Sequence, residues 1–102
     1  MINVMAIITA KPGLRAQVLE AFQANRPAVL AEDGCIEYQA NVDAKAFPPS
    51  KGTLGDDTFV VVERWASADA LKAHAAAPHM AAYSAKTKEL VASRVIHILE
   101  VA

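Results

Sequence analysis

Apolar residues recur with two different spacings along the chain, and the spacing predicts where strands and helices lie. Residues 59–62 form an unbroken run of aromatic and β-branched side chains, which is typical of a strand buried on both faces. Residues 35–42 alternate between apolar and polar, which predicts a strand with one wetter face. Apolar stretches at residues 2–9 and 94–101 predict a first and a last strand. The pattern therefore predicts four strands.

A helical rhythm separates the first two strands. Leu14, Val18 and Phe22 recur every four residues and form one apolar stripe on a helix that runs toward Glu32. Pro27 interrupts this stretch and is expected to kink it, because proline cannot donate the backbone hydrogen bond that a helix interior requires.

Two further helical segments follow the third strand. Ser67 stands where an N-cap is expected, and Asp69 lies in the first turn, where a carboxylate complements the positive end of the helix. Pro78 is expected to end this helix and to begin the next one. Apolar and small positions at three-four-three spacing mark that last segment, namely Met80, Tyr83, Thr87 and Leu90.

Residues 44–57 have no periodicity and contain Pro48, Pro49, Gly52 and Gly55. This stretch is too long for a tight hairpin, so it predicts a loop between the second and third strands. Loops of this length often act as lids or contacts, and we expect a lid or a dimer contact here.

The order β-α-β-β-α-β predicts an α+β fold of the ferredoxin-like, split βαβ type, with a four-stranded antiparallel sheet and its helices on one face. A single domain is expected over residues 1–102. Several strands carry apolar side chains on both faces, so the second face of the sheet also requires a cover. A second copy of the chain is the simplest cover and predicts a twofold homodimer.

Composition excludes several classes of partner. The formal net charge is −1, and no two Lys or Arg residues are adjacent, so neither a nucleic acid nor an anionic membrane surface is expected as a partner. Residues 2–8 are too few to span a membrane and lack a basic leader, so a cytoplasmic location is expected. The single cysteine, Cys35, has no partner for an internal disulfide and is expected to be a small buried residue.

The three histidines are candidate metal ligands by residue type. His74, His79 and His97 lie on different predicted elements, without an H-x-x-x-H pattern or a paired carboxylate. A zinc or non-haem iron site needs three or more converging ligands. No metal site is therefore predicted.

Four short motifs carry a family resemblance. They read GCIEY at 34–38, VERWAS at 62–67, AH at 73–74 and APH at 77–79. In this order and spacing they resemble the antibiotic biosynthesis monooxygenase family. The resemblance implies a dimeric α+β barrel that oxygenates quinols, anthrone-like polycyclic phenols or similar electron-rich aromatics without a metal or flavin cofactor.

Two departures from the functional branches of that family narrow the expectation. Haem-degrading relatives place an axial histidine late in the helical segment, whereas residues 81–86 read AAYSAK, which disfavours haem degradation. Anthrone oxidisers carry a polar residue on the strand before the tryptophan, whereas residues 59–62 are wholly apolar here. The hydrogen-bonding scheme of the anthrone oxidisers is therefore not expected here. The expected substrates are quinol-like or polycyclic aromatic molecules.

The resemblance also implies roles for particular residues. His74 and His79 are the candidate bases, because histidine titrates near neutrality. Trp65 is the candidate wall that orients a flat ring, and Tyr38 and Tyr83 are candidate hydrogen-bond donors to the bound oxygen atoms.

Each role has a purely structural alternative. Trp65 also fits a packing anchor at a strand end, and each candidate histidine also fits a surface or helix-start position. His97 is expected to be a hydrogen-bonded histidine of the core or dimer, and Glu63 with Arg64 is expected to form an ion pair. A non-catalytic homodimer that binds a small hydrophobic metabolite is the alternative function. An apolar cavity that at least one candidate histidine reaches would favour the enzyme.

Overall fold

The computed structural model describes residues 1–48 and 52–102. Seven elements follow one another along these residues in the predicted order, including the two separate helical segments on either side of Pro78. They are β1 (Ile2–Ala10), α1 (Arg15–Leu30), β2 (Cys35–Asn41), β3 (Thr58–Trp65), α2 (Ala68–Ala75), α3 (Pro78–Thr87) and β4 (Val91–Leu99).

The four strands form one antiparallel sheet in the order β2-β3-β1-β4. Its helix-facing side includes the alternate residues of β1 from Ile2 to Ala10, all of which are buried. Apolar side chains of all three helices pack against this face, among them Val18, Phe22, Leu71 and Met80. The predicted α+β fold with a four-stranded antiparallel sheet is confirmed.

Helix boundaries follow the predicted signals with one exception. The Ser67 hydroxyl accepts a hydrogen bond from the Ala70 amide at the start of α2, and Pro78 begins α3. Pro27, in contrast, does not interrupt α1, which continues through it to Leu30. The Pro27 carbonyl oxygen still accepts a helical hydrogen bond, from the Ala31 amide over 3.1 Å.

The opposite side of the sheet, here called the open face, has no helix packed on it among the described residues. Met5, Val95 and Leu99 point to this side and are 42%, 50% and 42% exposed. The apolar character expected of a second face is therefore present, and its cover by a second copy stays a prediction.

The loop between β2 and β3 is closed by side chains near its two ends. The Asp43 carboxylate accepts hydrogen bonds from the backbone amides of Leu54, at 2.9 Å, and Gly55, at 3.0 Å, and these bonds lower the pKa of Asp43. Arg15 donates to the Gly55 carbonyl oxygen over 3.1 Å, which ties the loop to α1. Residues 49–51 of the predicted lid lie outside the described residues, and a lid or dimer role stays a prediction.

No helix within residues 1–48 and 52–102 has both the length and the apolar content needed to cross a membrane.

Gly34 permits the close approach between the turn before β2 and the start of α2. Its φ is +83°, and a Cβ at this position would lie 2.6 Å from the Cβ of Ala70. We expect Gly34→Ala to lower the free energy of unfolding by about 2–5 kcal/mol, from left-handed backbone strain together with steric overlap. Urea denaturation followed by circular dichroism measures this loss.

Gly13→Ala provides the matched control, because Gly13 has a similar φ of +79° with no atom within 4 Å of the added Cβ. It should cost only the backbone strain, about 1–2 kcal/mol. If the two variants lose the same free energy of unfolding, the steric overlap with Ala70 makes no contribution to stability.

Candidate active site

A cavity of about 470 Å³ lies between the helix-facing side of the sheet and helices α2 and α3. Most of its wall is apolar, and a few polar side chains reach into it from different elements. These polar residues are Tyr38, Glu63, His74, Tyr83, Ser84 and Arg94. Its size and its few polar groups are typical of a site for a small organic molecule.

His74 lies in the last turn of α2, with its side chain turned toward the sheet and only 7% exposed. Its Nδ1 is 2.8 Å from Oε2 of Glu32, a residue in the turn after α1. A carboxylate only accepts, so Nδ1 carries the hydrogen of this bond. The other ring nitrogen, Nε2, is therefore the atom with a free lone pair in the neutral side chain.

Aromatic rings hold the His74 imidazole in place. Its ring centroid is 4.5 Å from that of Trp65 and 5.5 Å from that of Tyr38. Tyr38 is itself stacked on Phe22 at 5.0 Å. The imidazole is therefore fixed in position by packing as well as by its hydrogen bond.

Glu63 supplies a buried carboxylate to the cavity wall. The indole Nε1 of Trp65 donates to Glu63 Oε1 over 3.0 Å, and His74 Nε2 lies 4.0 Å from the same oxygen. Burial raises the pKa of Glu63, and the Trp65 hydrogen bond and the nearby His74 partly offset that rise. Glu63 is thus a second candidate acid or base beside His74.

The predicted ion pair between Glu63 and Arg64 is wrong. Adjacent residues of a strand point to opposite faces, so Glu63 enters the core while Arg64 is exposed. One guanidinium nitrogen of Arg64 lies 3.3 Å from the sulfur of Met1.

The raised pKa of Glu63 makes the stability of the protein depend on pH. In the folded state Glu63 keeps its proton at pH values above 4.5, the usual pKa of this group. The unfolded state therefore binds fewer protons than the folded state just above pH 4.5. Stability contributed by this group is then lost as pH rises from about 4.5 through the folded pKa. We expect the difference in unfolding free energy, Glu63→Gln minus wild type, to increase over this range.

Chemical denaturation from pH 4 to 8 measures that difference, and Glu37→Gln, at a half-buried position of the edge strand β2, is the matched control. The glutamine carbonyl oxygen can still accept from Trp65 Nε1, so packing is retained. A difference that stays flat with pH for Glu63→Gln would contradict the raised pKa.

His79 occupies the first turn of α3 and faces a groove between α1 and α3, not the cavity. Its Nδ1 is 3.2 Å from Asn25 Oδ1. Its Nε2 is buried 3.2 Å from Glu32 Oε2, close enough for an ion pair but without the alignment of a hydrogen bond. Glu32 therefore contacts both candidate histidines, and only His74 reaches the cavity.

The two candidate tyrosines both line the cavity. Burial raises the pKa of Tyr38, reinforced by the negative charge of Glu63. Burial also raises the pKa of Tyr83, and the positive charge of Arg94 partly offsets it. Both hydroxyls are therefore held in the protonated form that donates hydrogen bonds.

The remaining candidates lie away from the cavity wall. Trp65 is fully buried behind His74 and contacts the cavity only through that ring and Glu63. His97 pairs with Met5 on the open face. Cys35 is only partly buried, and burial raises the pKa of its thiol.

Over the described ranges, no three His, Cys, Asp or Glu side chains are placed to hold a metal ion.

Sequence reasoning missed three polar residues of the site, namely Glu32, Glu63 and Arg94. The E-x-W spacing at 63–65 was the available signal for Glu63, because residues two apart share one face of a strand. Glu32 gave no such signal, since 42 residues separate it from His74.

The fold and the cavity define a class of small α+β proteins, and comparison with known proteins gives the family. The model of the antibiotic biosynthesis monooxygenase family matches residues 1–86. The chain therefore belongs to the antibiotic biosynthesis monooxygenase family, as the sequence motifs indicated.

A curated relative from Escherichia coli K12, named "Probable quinol monooxygenase YgiN", is 39% identical over 102 residues, covering 98% of this chain and 97% of the relative. Two solved structures share the fold. PA3566 from Pseudomonas aeruginosa has a TM-score of 0.81 at 24% identity and covers 99% of this chain and 94% of its own. Rv0793 from Mycobacterium tuberculosis has a TM-score of 0.80 at 25% identity, with the same coverage. Family and relative together support a monooxygenase-type function.

Proposed function

We propose that this protein is a cofactor-independent monooxygenase of quinol-like or polycyclic aromatic substrates, with His74 as the base. The observation that carries the proposal is His74 at the wall of an apolar cavity, with Nδ1 bonded to a carboxylate and Nε2 left free. The relative named as a quinol monooxygenase supports the same substrate class.

The chemistry needs few protein groups. His74 Nε2 removes a proton from a phenolic hydroxyl, and Glu32 stabilises the resulting imidazolium. The electron-rich anion passes an electron to dioxygen, and the two partners then join at a ring carbon. One oxygen atom stays on the ring and the other leaves as water. For a quinol, the product is a hydroxyquinone.

Three further polar residues of the cavity, and the tryptophan behind it, have a place in this scheme. Tyr38 and Tyr83 donate hydrogen bonds to oxygen atoms of the bound molecule, and the apolar wall excludes water from the reactive anion. Glu63 Oε1 lies 4.0 Å from His74 Nε2, beyond hydrogen-bond distance but close enough for its negative charge to stabilise the imidazolium. Trp65 acts as a positioning residue, since it contacts His74 and Glu63 without lining the cavity.

We also infer a homodimer formed through the open face. Its exposed apolar side chains, among them Met5, Val95 and Leu99, need a cover that a second identical sheet provides. Light scattering after gel filtration should give a solution mass of two chains.

Oxygen uptake by chelator-treated protein tests the proposed activity. Hydroquinones, naphthohydroquinones and anthrones form the panel, and heat-killed protein corrects for autoxidation. Saturable uptake that is insensitive to chelator is expected for at least one compound. Uptake that never exceeds the heat-killed control would contradict the proposal and favour the non-catalytic dimer that binds a hydrophobic metabolite.

A further inference from the structure

Arg94 brings a positive charge to the cavity from β4, at a position displaced along the sheet from Glu63. It lies on β4 opposite Ile8 of β1, whereas Glu63 lies on β3 opposite Val4. Val4 and Ile8 are four residues apart on β1, and β3 and β4 lie one strand spacing to either side of β1. The Cα atoms of Glu63 and Arg94 are therefore roughly 16 Å apart. The cavity therefore has an acid–base end and a cationic end.

The guanidinium is held toward the cavity by a buried partner. One of its terminal nitrogens donates to Thr87 Oγ1 over 3.1 Å, and that hydroxyl donates its own hydrogen to the Tyr83 carbonyl oxygen over 2.9 Å. Thr87 is fully buried, so this bond limits the orientations of the guanidinium. The hydroxyl-bearing residues Tyr83 and Ser84 also line the cavity.

This charge has no counter-ion within the part of the chain that the structure describes. The ion pairs there involve Lys11 and the two histidines His74 and His79, and none involves Arg94. A guanidinium with free donors next to an apolar wall is a good partner for a planar anion, since two parallel hydrogen bonds can form to one carboxylate.

We propose that Arg94 determines specificity for aromatic substrates that carry a carboxylate at the end of the molecule away from the reacting hydroxyl. The proposal rests on the proposed function, because it places the phenolic end of the substrate at His74. A two-ring aromatic acid spans the two ends, with its rings against the apolar wall and its carboxylate at Arg94.

Binding of unreactive quinones tests this inference without turnover. The matched probes are 1,4-naphthoquinone-6-carboxylate and its methyl ester, measured by isothermal titration calorimetry. Wild-type protein should bind the acid about 5- to 30-fold more tightly than the ester, a range that allows for the solvent exposure of Arg94. The preference should decrease as salt is added.

Three variants isolate the contribution of Arg94. Arg94→Met should remove the preference for the acid while leaving the affinity for the ester within about twofold, and Arg94→Lys should retain part of the preference. Lys88→Met is the matched control, because Lys88 lies beyond α3 and does not line the cavity. Thermal unfolding confirms that each variant is folded.

The outcomes separate this inference from the proposed oxygenase. Equal binding of acid and ester, a preference that survives Arg94→Met, or no binding of either probe would overturn the role of Arg94. If wild type takes up oxygen but shows no preference, the oxygenase stands and the Arg94 inference fails. A clear preference without any oxygen uptake would instead retain the anion site and remove the oxygenase.

Discussion

Replacing Trp65 with alanine is expected to lower the free energy of unfolding by about 3–5 kcal/mol. The indole is fully buried and packs on the His74 ring. Its removal leaves a large void and deprives the buried Glu63 carboxylate of its Nε1 donor. Because Trp65 is the single tryptophan, urea denaturation should be followed by far-ultraviolet circular dichroism instead of fluorescence.

Trp65→Phe separates the two causes of this loss. Phenylalanine retains much of the ring volume but cannot donate to Glu63, so a smaller loss of about 1–3 kcal/mol is expected. If Trp65→Ala stayed within about 1 kcal/mol of wild type, the indole would not be the packing anchor that its burial indicates.

His74→Ala is expected to reduce kcat for an accepted quinol by about 10²- to 10⁴-fold, the usual contribution of a general base. The imidazole that accepts the proton at the cavity wall is lost, and Glu32 cannot replace it because Glu32 does not line the cavity. Initial rates of oxygen uptake at saturating substrate measure the effect. Lys72→Ala, at an exposed position of the same helix that does not line the cavity, is the control and should stay within about twofold of wild type.

His79→Ala distinguishes a base in the cavity from a residue that acts through Glu32. His79 contacts Glu32 but does not line the cavity, so its removal should lower kcat less than the removal of His74. A loss in His79→Ala equal to that in His74→Ala would show that the assignment of His74 as the sole direct base is wrong. Retention of full activity by His74→Ala would exclude His74 as the base.

Local signals were enough to predict the fold. The apolar run at 59–62, the Ser67 cap and the Pro78 break each depend on neighbouring residues, and each appears in the structure where it was expected. Pro27 was the exception, because the packing of α1 on the sheet keeps the helix continuous through a residue that disfavours it.

The site was less predictable because it depends on contacts between residues distant in sequence. His74, Tyr38 and Tyr83 line the cavity, and their roles in binding and catalysis stay predictions. The carboxylate that contacts both His74 and His79 could not be assigned, since only the folded chain brings the turn after α1, which carries Glu32, next to α2 and α3. Glu63 was misassigned because its neighbour Arg64 offered an obvious but geometrically impossible partner.

The position of Glu32 also restricts how molecules reach the cavity. A single oxygen, Oε2, lies 2.8 Å from His74 on α2 and 3.2 Å from His79 on α3, so this carboxylate fastens both helices to the end of α1. Lifting α2 and α3 off the sheet would break both contacts at once. The opposite rim, on β4, is joined to α3 at Arg94 through its hydrogen bond to Thr87, whereas Ile96 and Ile98 farther along β4 are 58% and 63% exposed. We therefore expect substrate to enter and product to leave along the β4 edge, while α2 and α3 stay in place.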